Sequence, residues 1–153
     1  MQNARVIPFT SNHAAEFRRL NLEWLDFYQL TESHDLMVLD DPKGTILDRG
    51  GVIYLAEQDG KIVGTAALMP EEHGVYELAK MAVTQEYRGQ GISKLLIDAC
   101  LQAAKDLKAK KITLFSNHQL TTALSLYKKY GFKHVEVKNS PFATADVKME
   151  LIL

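Results

Sequence analysis

The 153-residue chain has one cysteine, Cys100, so no intrachain disulfide can form. Its five histidines, His13, His34, His73, His118 and His134, show no metal-site spacing with that cysteine or with one another, so no metal is expected. No apolar run approaches the roughly 18 residues of a membrane span. The N-terminus, Met1-Gln2-Asn3-Ala4-Arg5, leads into an alternating pattern rather than an apolar signal core. An excess of charge is also missing: the formal net charge is -1 and the pI is near 6.5. That leaves no basic field for nucleic acid or for an anionic membrane surface. Repeats, low-complexity segments and linkers are lacking. What is there, 46% hydrophobic and 24% charged residues, can bury a core as one domain over residues 1–153, expected to be soluble and cytoplasmic.

The apolar pattern predicts a mixed α/β order. Residues 4–9 read as a first strand, and Ser11 or Asn12 can cap a helix whose stripe Phe17, Leu20, Trp24 and Tyr28 follows helical spacing. A second short helix is expected over 32–39, broken by Asp40-Asp41-Pro42-Lys43-Gly44. Apolar stretches over 52–56 and 62–68 flank Asp59-Gly60, which reads as a tight hairpin turn, and 70–74 leads into a strand ending at Val83. Three consecutive strands joined by short turns are most simply antiparallel. The helix over 91–108 carries Ile92, Leu95, Leu96, Ala99, Ala103 and Leu107 on one face. The strand over 110–115, reached by this helical crossover, should run parallel to its predecessor. A helix over 119–130 ends at Gly131, and strands over 132–138 and 146–152, separated by a loop containing Pro141, close the chain.

Between the strand ending at Val83 and the long helix lies Arg88-Gly89-Gln90-Gly91-Ile92-Ser93-Lys94, which reads as a phosphate cradle. Two glycines let the backbone approach a ligand, and the helix that follows offers unpaired N–H groups and the positive end of its dipole. The first acidic side chain inside the helix is Asp98, so no carboxylate competes for that position. A dinucleotide-binding fingerprint would need a third small residue where Lys94 stands and an acidic residue ~20 positions on. The nucleoside-triphosphatase loop, Gly-x-x-x-x-Gly-Lys-Ser/Thr, occurs nowhere.

The run resembles the signature of the GCN5-related N-acetyltransferases: Arg or Gln, two residues, Gly, one residue, then Gly or Ala. Here Ser93 takes the last place, small and able to hydrogen-bond a phosphate oxygen. Tyr76 to Val83 is similar to the family's fourth strand, and Asn117 to Phe132, with Leu126-Tyr127-Lys128-Lys129-Tyr130-Gly131-Phe132 at its end, is similar to the family's second motif. The resemblance implies a mixed, mainly antiparallel sheet flanked by helices, with a splayed central parallel strand pair. It implies acetyl-CoA as co-substrate in the wedge between those strands. The pantetheine arm would pair with the strand around Lys80, Met81, Ala82 and Val83. The pyrophosphate would lie on the amides from Gln90 to Lys94, with Gly89 in the turn. Arg88 and Lys94 are the nearest cations, or else ordinary solvated helix-start charges.

For the transfer itself, the resemblance implies Tyr127 as general acid to the departing thiolate, and Glu77 as the base that deprotonates the acceptor ammonium, directly or through water. Each has a plainer alternative. Tyr127 lies on a helical stripe with Leu120, Ala123 and Leu124 and could be core, and Glu77 could pair structurally with Lys80 or an arginine of the first helix. Tyr130 does not match the family's tyrosine position. Asn117 resembles the asparagine that hydrogen-bonds the CoA arm, alongside a helix N-cap role. Cys100 falls on or beside the buried face of the long helix with no cation nearby, which favours direct transfer in a ternary complex over an acyl-enzyme.

On the acceptor side, Trp24, Phe27, Tyr28, His34 and Asp35 belong to the helices that form one wall of the family's acceptor groove, and Glu71-Glu72-His73 precedes the fourth strand. These residues leave open a small-molecule or peptide amine, and a homodimer is compatible with the sequence. A non-catalytic acyl-CoA-binding sensor or partner module is the alternative to an enzyme.

Overall fold

The apolar runs form seven strands: β1 (Arg5–Pro8), β2 (Val52–Gln58), β3 (Lys61–Pro70), β4 (Val75–Val83), β5 (Lys111–Ser116), β6 (Lys133–Val135) and β7 (Val147–Ile152). They make one sheet in the order β1-β2-β3-β4-β5-β7-β6 in a computed structural model that describes residues 3–138 and 140–153. The β4–β5 pair is parallel and every other pair antiparallel. The β2–β3 hairpin turns on Asp59 and Gly60, with φ of 56° and 74°. Paired positive φ values match the right-handed twist of the two strands.

Period-2 burial gives the sheet two apolar faces. One carries Val63, Leu68, Leu78, Ile112, Leu114 and Met149 and packs against α3 (Ile92–Asp106), with Tyr127 of α4 (Thr121–Lys129) and Phe132 beside it. The other carries Ile53, Leu55 and Ala67 and packs against Phe17 and Leu25 of α1 (Ala14–Phe27), Val38 and Leu39 of α2 (Ser33–Asp40), and Ile46. The mixed, mainly antiparallel sheet flanked by helices is therefore as expected.

Four local readings need correction. α1 buries Phe17, Leu20, Asn21 and Leu25, so Trp24 and Tyr28 lie at its flank instead of at the centre of its core stripe. α3 buries Ile92, Leu96, Ile97, Cys100, Ala103 and Ala104, and Leu95 and Leu107 are each 40% exposed. The inward stripe follows i+4 steps from Ile92, which rotates Leu95 outward. Part of the segment expected as a loop after α2 forms a π-helical turn, Lys43–Leu47, with the Gly44 amide donating to Asp41 Oδ1 at 3.0 Å. β6 is only three residues long because it has β7 alone as neighbour and buries none of its side chains.

Candidate active site

β4 is hydrogen-bonded along β3 as far as Val83, but it meets β5 only at Val75–Lys111, Tyr76–Ile112 and Glu77–Thr113. Beyond Glu77 the two parallel strands separate. The main-chain groups of residues 79–83 that point toward β5 thus lack a ladder partner on that side. Within the separated stretch β4 carries a bulge, where Lys80 and Met81 together oppose Ala66 and Lys80 adopts a left-handed φ of 54°. Extra residues of this kind bend a strand and increase its twist. A buried chain holds the bulge: Thr65 Oγ1 donates to the Lys80 carbonyl at 2.7 Å, and Asn21 Nδ2 donates to Thr65 Oγ1 at 3.1 Å and to the Phe17 carbonyl at 2.9 Å.

A cleft of about 870 Å³ occupies the wedge. At one end stand Gly89 and Gly91, with φ of 78° and 80°. A Cβ at either would meet nothing within 4 Å, so each backbone is open to a ligand. Gly91 is the residue preceding α3, whose first turn contains no acid. The amides of its opening residues, Ile92, Ser93 and Lys94, have no intrahelical acceptor. Ile92 faces the core with its side chain, while Ser93 and Lys94 flank the opening. Arg88 donates from Nε to the Val83 carbonyl at 3.0 Å and so ties the glycine turn to the end of β4. The side chain of Gln90 accepts from Gln58 at 3.4 Å, and Gln90 alone of the binding residues expected from the sequence does not line the cleft.

At the other end lie Glu77, Tyr127 and Asn117. Glu77 is 7% exposed. Burial, reinforced by the neighbouring Glu71 carboxylate and opposed by the Lys80 ammonium, pushes its carboxyl up to about 7. Neither suggested structural partner claims it: Lys80 pairs with Asp35 at 2.8 Å and Arg18 of α1 with Asp40 at 2.9 Å. The Tyr127 ring packs on Phe132, centroids 5.9 Å apart, and burial pushes its phenol up to about 12, so the hydroxyl keeps its proton at neutral pH. Asn117 donates from Nδ2 to the Thr144 carbonyl at 2.8 Å and accepts the Gln119 amide at 3.0 Å. The second bond forms a turn ahead of α4 rather than the expected N-cap, since the residue immediately before the helix is Leu120.

Comparison with known proteins fits this geometry. A family model described as an acetyltransferase (GNAT) domain matches residues 49–134, more than half of the chain. The chain belongs to the GNAT acetyltransferase family. It is 31% identical over 99 residues to human N-acetyltransferase 8B, a match that covers 61% of this chain and 44% of that protein. The chain thus spans less than half the length of that relative. An acetyltransferase of the GNAT family from Staphylococcus aureus Mu50 has the same fold, with a TM-score of 0.89 at 20% identity over 98% of this chain and 99% of that one. So does the PaiA N-acetyltransferase of Thermoplasma acidophilum, solved in complex with coenzyme A, with a TM-score of 0.76 at 18% identity over 99% of each chain.

Within this GNAT domain, several site features could not be read from sequence. Phe142, Thr144 and Ala145 of the segment 140–146 line the cleft, and Glu32 grips this segment by accepting from the amides of Ala143 at 2.8 Å and Thr144 at 3.0 Å and from the Thr144 hydroxyl. Phe142 of this segment lines the cleft, with its ring 4.9 Å from that of His34 and 5.3 Å from Lys80 Nζ. Trp24, Tyr28 and Asp35 line the cleft as well, whereas Phe27 is 79% exposed and does not. Tyr130 points elsewhere and donates to Asp98 Oδ1 at 2.8 Å. Cys100 is fully buried under α3, and burial pushes its thiol up to about 12. Among the described residues, no group of three or more His, Cys, Asp or Glu side chains could hold a metal, and no helix is long and apolar enough to cross a membrane.

Proposed function

We propose that residues 1–153 act as one acetyl-CoA-dependent N-acetyltransferase domain that moves an acetyl group directly onto a primary amine in a ternary complex. The observation that carries this reading is the edge of β4 over residues 79–83 that β5 leaves without a ladder, running from the glycine turn toward Glu77. An amide-bearing arm such as pantetheine can add to that edge as a short strand would. The open backbone at Gly89 and Gly91 and the amides of Ile92, Ser93 and Lys94 suit a pyrophosphate, and Lys94 adds a cation at the opening. Arg88 fixes the turn to Val83 and lines the same cleft.

Glu77 serves as general base. With a carboxyl near 7 it is half ionised at neutral pH, which matches a base to its working range. It takes a proton from the acceptor ammonium, and the free amine attacks the thioester carbonyl. The C–N bond forms, the C–S bond breaks, Tyr127 gives its proton to the departing thiolate, and the proton shed by the new amide nitrogen restores the Tyr127 phenol. Cys100 is too deeply buried and too weakly acidic to take the acetyl group first, which favours direct transfer.

Two measurements test the proposal in sequence: calorimetric titration with acetyl-CoA, then CoA release against a panel of primary amines. Binding followed by release supports it. Binding without release from any amine would instead identify an acyl-CoA sensor.

A further inference from the structure

Glu77 and Glu71 meet across the β3–β4 hairpin. Met69 stands opposite Glu77 and Pro70 opposite Tyr76, and the Glu71 amide extends this register by donating to the Val75 carbonyl at 2.8 Å. Alternation then sets Glu71, two residues after Met69, on the face that carries Glu77. Diagonal neighbours on one face of an antiparallel pair lie about 7 to 8 Å apart, within reach of two long side chains. The two carboxyls are hydrogen-bonded to each other. The connection that positions Glu71 is itself anchored, since the Lys110 amide donates to the Gly74 carbonyl at 2.8 Å.

The two carboxyls open onto different spaces. Glu77 is buried and lines the cleft, whereas Glu71 is exposed and lines a second depression, of about 530 Å³, beside β5 and β7. Thr113, the cross-strand partner of Glu77, lines that depression as well, and its Oγ1 is buried without a hydrogen-bond partner. Lys111 on the same rim is taken by Glu150 at 3.0 Å, and among the described residues no Lys, Arg or His lies within ion-pair distance of Glu71. Its carboxylate is thus free to take a proton. Lys80 and Asp35 also face Glu77, but they are buried and pair with each other at 2.8 Å, so neither leads to water.

Transfer from a thioester to an ammonium yields an amide, a thiol and one surplus proton, which Glu77 holds. The reactants occupy the cleft side of that residue, so a route that avoids them starts at Glu71. We propose that Glu71 is the proton outlet of Glu77: the proton taken from the acceptor ammonium crosses the hydrogen bond between the carboxyls from Glu77 to Glu71 and leaves to water in the depression, which returns Glu77 to its carboxylate form. This rests on the acetyltransferase reading with Glu77 as base, and adds a residue that acts through that base without touching the substrate.

The test follows kcat at saturating acetyl-CoA with the primary amine that releases CoA fastest. Glu71→Ala should lower kcat by about tenfold or more while acetyl-CoA affinity holds. Formate, a carboxylate small enough for the vacated space, should restore most of that loss, saturably and at constant ionic strength. The solvent deuterium isotope effect on kcat should rise in Glu71→Ala and fall back with formate. Glu72→Gln, which removes a neighbouring charge from the same rim, should change none of these. Because Glu71 raises the Glu77 carboxyl, Glu71→Gln should also move the acid limb of kcat/KM to lower pH. An unchanged kcat in Glu71→Ala, a loss that formate does not restore, or a limb that stays in place overturns the outlet, while loss of activity in Glu77→Gln still upholds the acetyltransferase reading. If the parent binds acetyl-CoA and no primary amine releases CoA, both are overturned.

Discussion

Lys80 Nζ donates to Asp35 Oδ1 at 2.8 Å with the two side chains only 5% and 4% exposed, and this contact joins the strand that carries the proposed base to α2. A pair so deeply buried is held in place by the cost of orphaning either member. Asp35→Ala should therefore destabilise the fold by ~3 kcal/mol or more, by leaving a buried ammonium uncompensated. Asp35→Leu combined with Lys80→Met should cost far less than the two single changes added. Urea denaturation of the four proteins measures the coupling, and additive losses would mean that the two charges do not depend on each other.

Glu77 links activity and stability to pH in opposite senses. Its carboxyl is raised from 4.5 to about 7, chiefly by burial, so kcat/KM should rise through about pH 7, and Glu77→Gln should remove that limb while sparing acetyl-CoA affinity. Because Lys80 opposes the rise, Lys80→Met should move the limb to higher pH. For folding, the native state keeps this proton when the unfolded chain has lost it. Stability should thus fall between pH 4.5 and about 7 and stay lowered above that. Glu77→Gln should then be more stable than the parent at pH 8, by up to about 3 kcal/mol, and not at pH 4. Thermal melts at the two values decide it.

The legible parts of this site were those written in adjacent residues. The glycine turn, the hairpin at Asp59-Gly60, the helical crossover and Gly131 are local signals, and each stands where its spacing placed it. The parts that stayed hidden join distant residues. Asn21 is 44 positions from Thr65, and Thr65 is 15 from Lys80, yet together they hold the bulge in the stretch of β4 that has left β5. An asparagine within an amphipathic helix reads as a surface residue, which is why Trp24 and Tyr28 stood in its place as core. Glu32 grips a segment more than a hundred residues away, a contact for which the sequence has no periodicity to offer.

The anion site at the start of α3 can be tested by a change with opposite effects on folding and binding. Gly91→Val would be a poor probe, since φ at that residue is 80° and a β-branched side chain would strain the backbone regardless of any ligand. Ser93 is in the first turn and lines the cleft. Ser93→Glu places a carboxylate at the positive end of the helix, which should leave stability unchanged or raise it by ~0.5 kcal/mol. The same carboxylate should repel a pyrophosphate and weaken acetyl-CoA binding about tenfold or more. Equal affinity for the parent and Ser93→Glu would move the phosphates away from this turn.

The two tyrosines of α4 and its cap separate the proposed acid from a structural hydroxyl. Tyr127 lines the cleft and packs on Phe132, with its phenol raised to about 12 by burial, so it is a proton donor throughout the working pH range. Tyr130 is three residues on, outside the cleft, and its hydroxyl is engaged by Asp98 at 2.8 Å. Tyr127→Phe keeps the ring against Phe132 and removes only the donor. Turnover should fall by about 10²-fold, the lower end for general acid catalysis, because a thiolate is already a fair leaving group. Stability and acetyl-CoA affinity should stay near those of the parent. Tyr130→Phe loses the bond to Asp98 and should cost at most ~1 kcal/mol while turnover holds. Steady-state kinetics and denaturation of both variants give four numbers, and the assignment needs the losses to fall on opposite axes. If Tyr127→Phe loses stability in proportion to activity, or if the two variants lose turnover alike, the Tyr127 hydroxyl is a core group and protonation of the leaving thiolate passes to water.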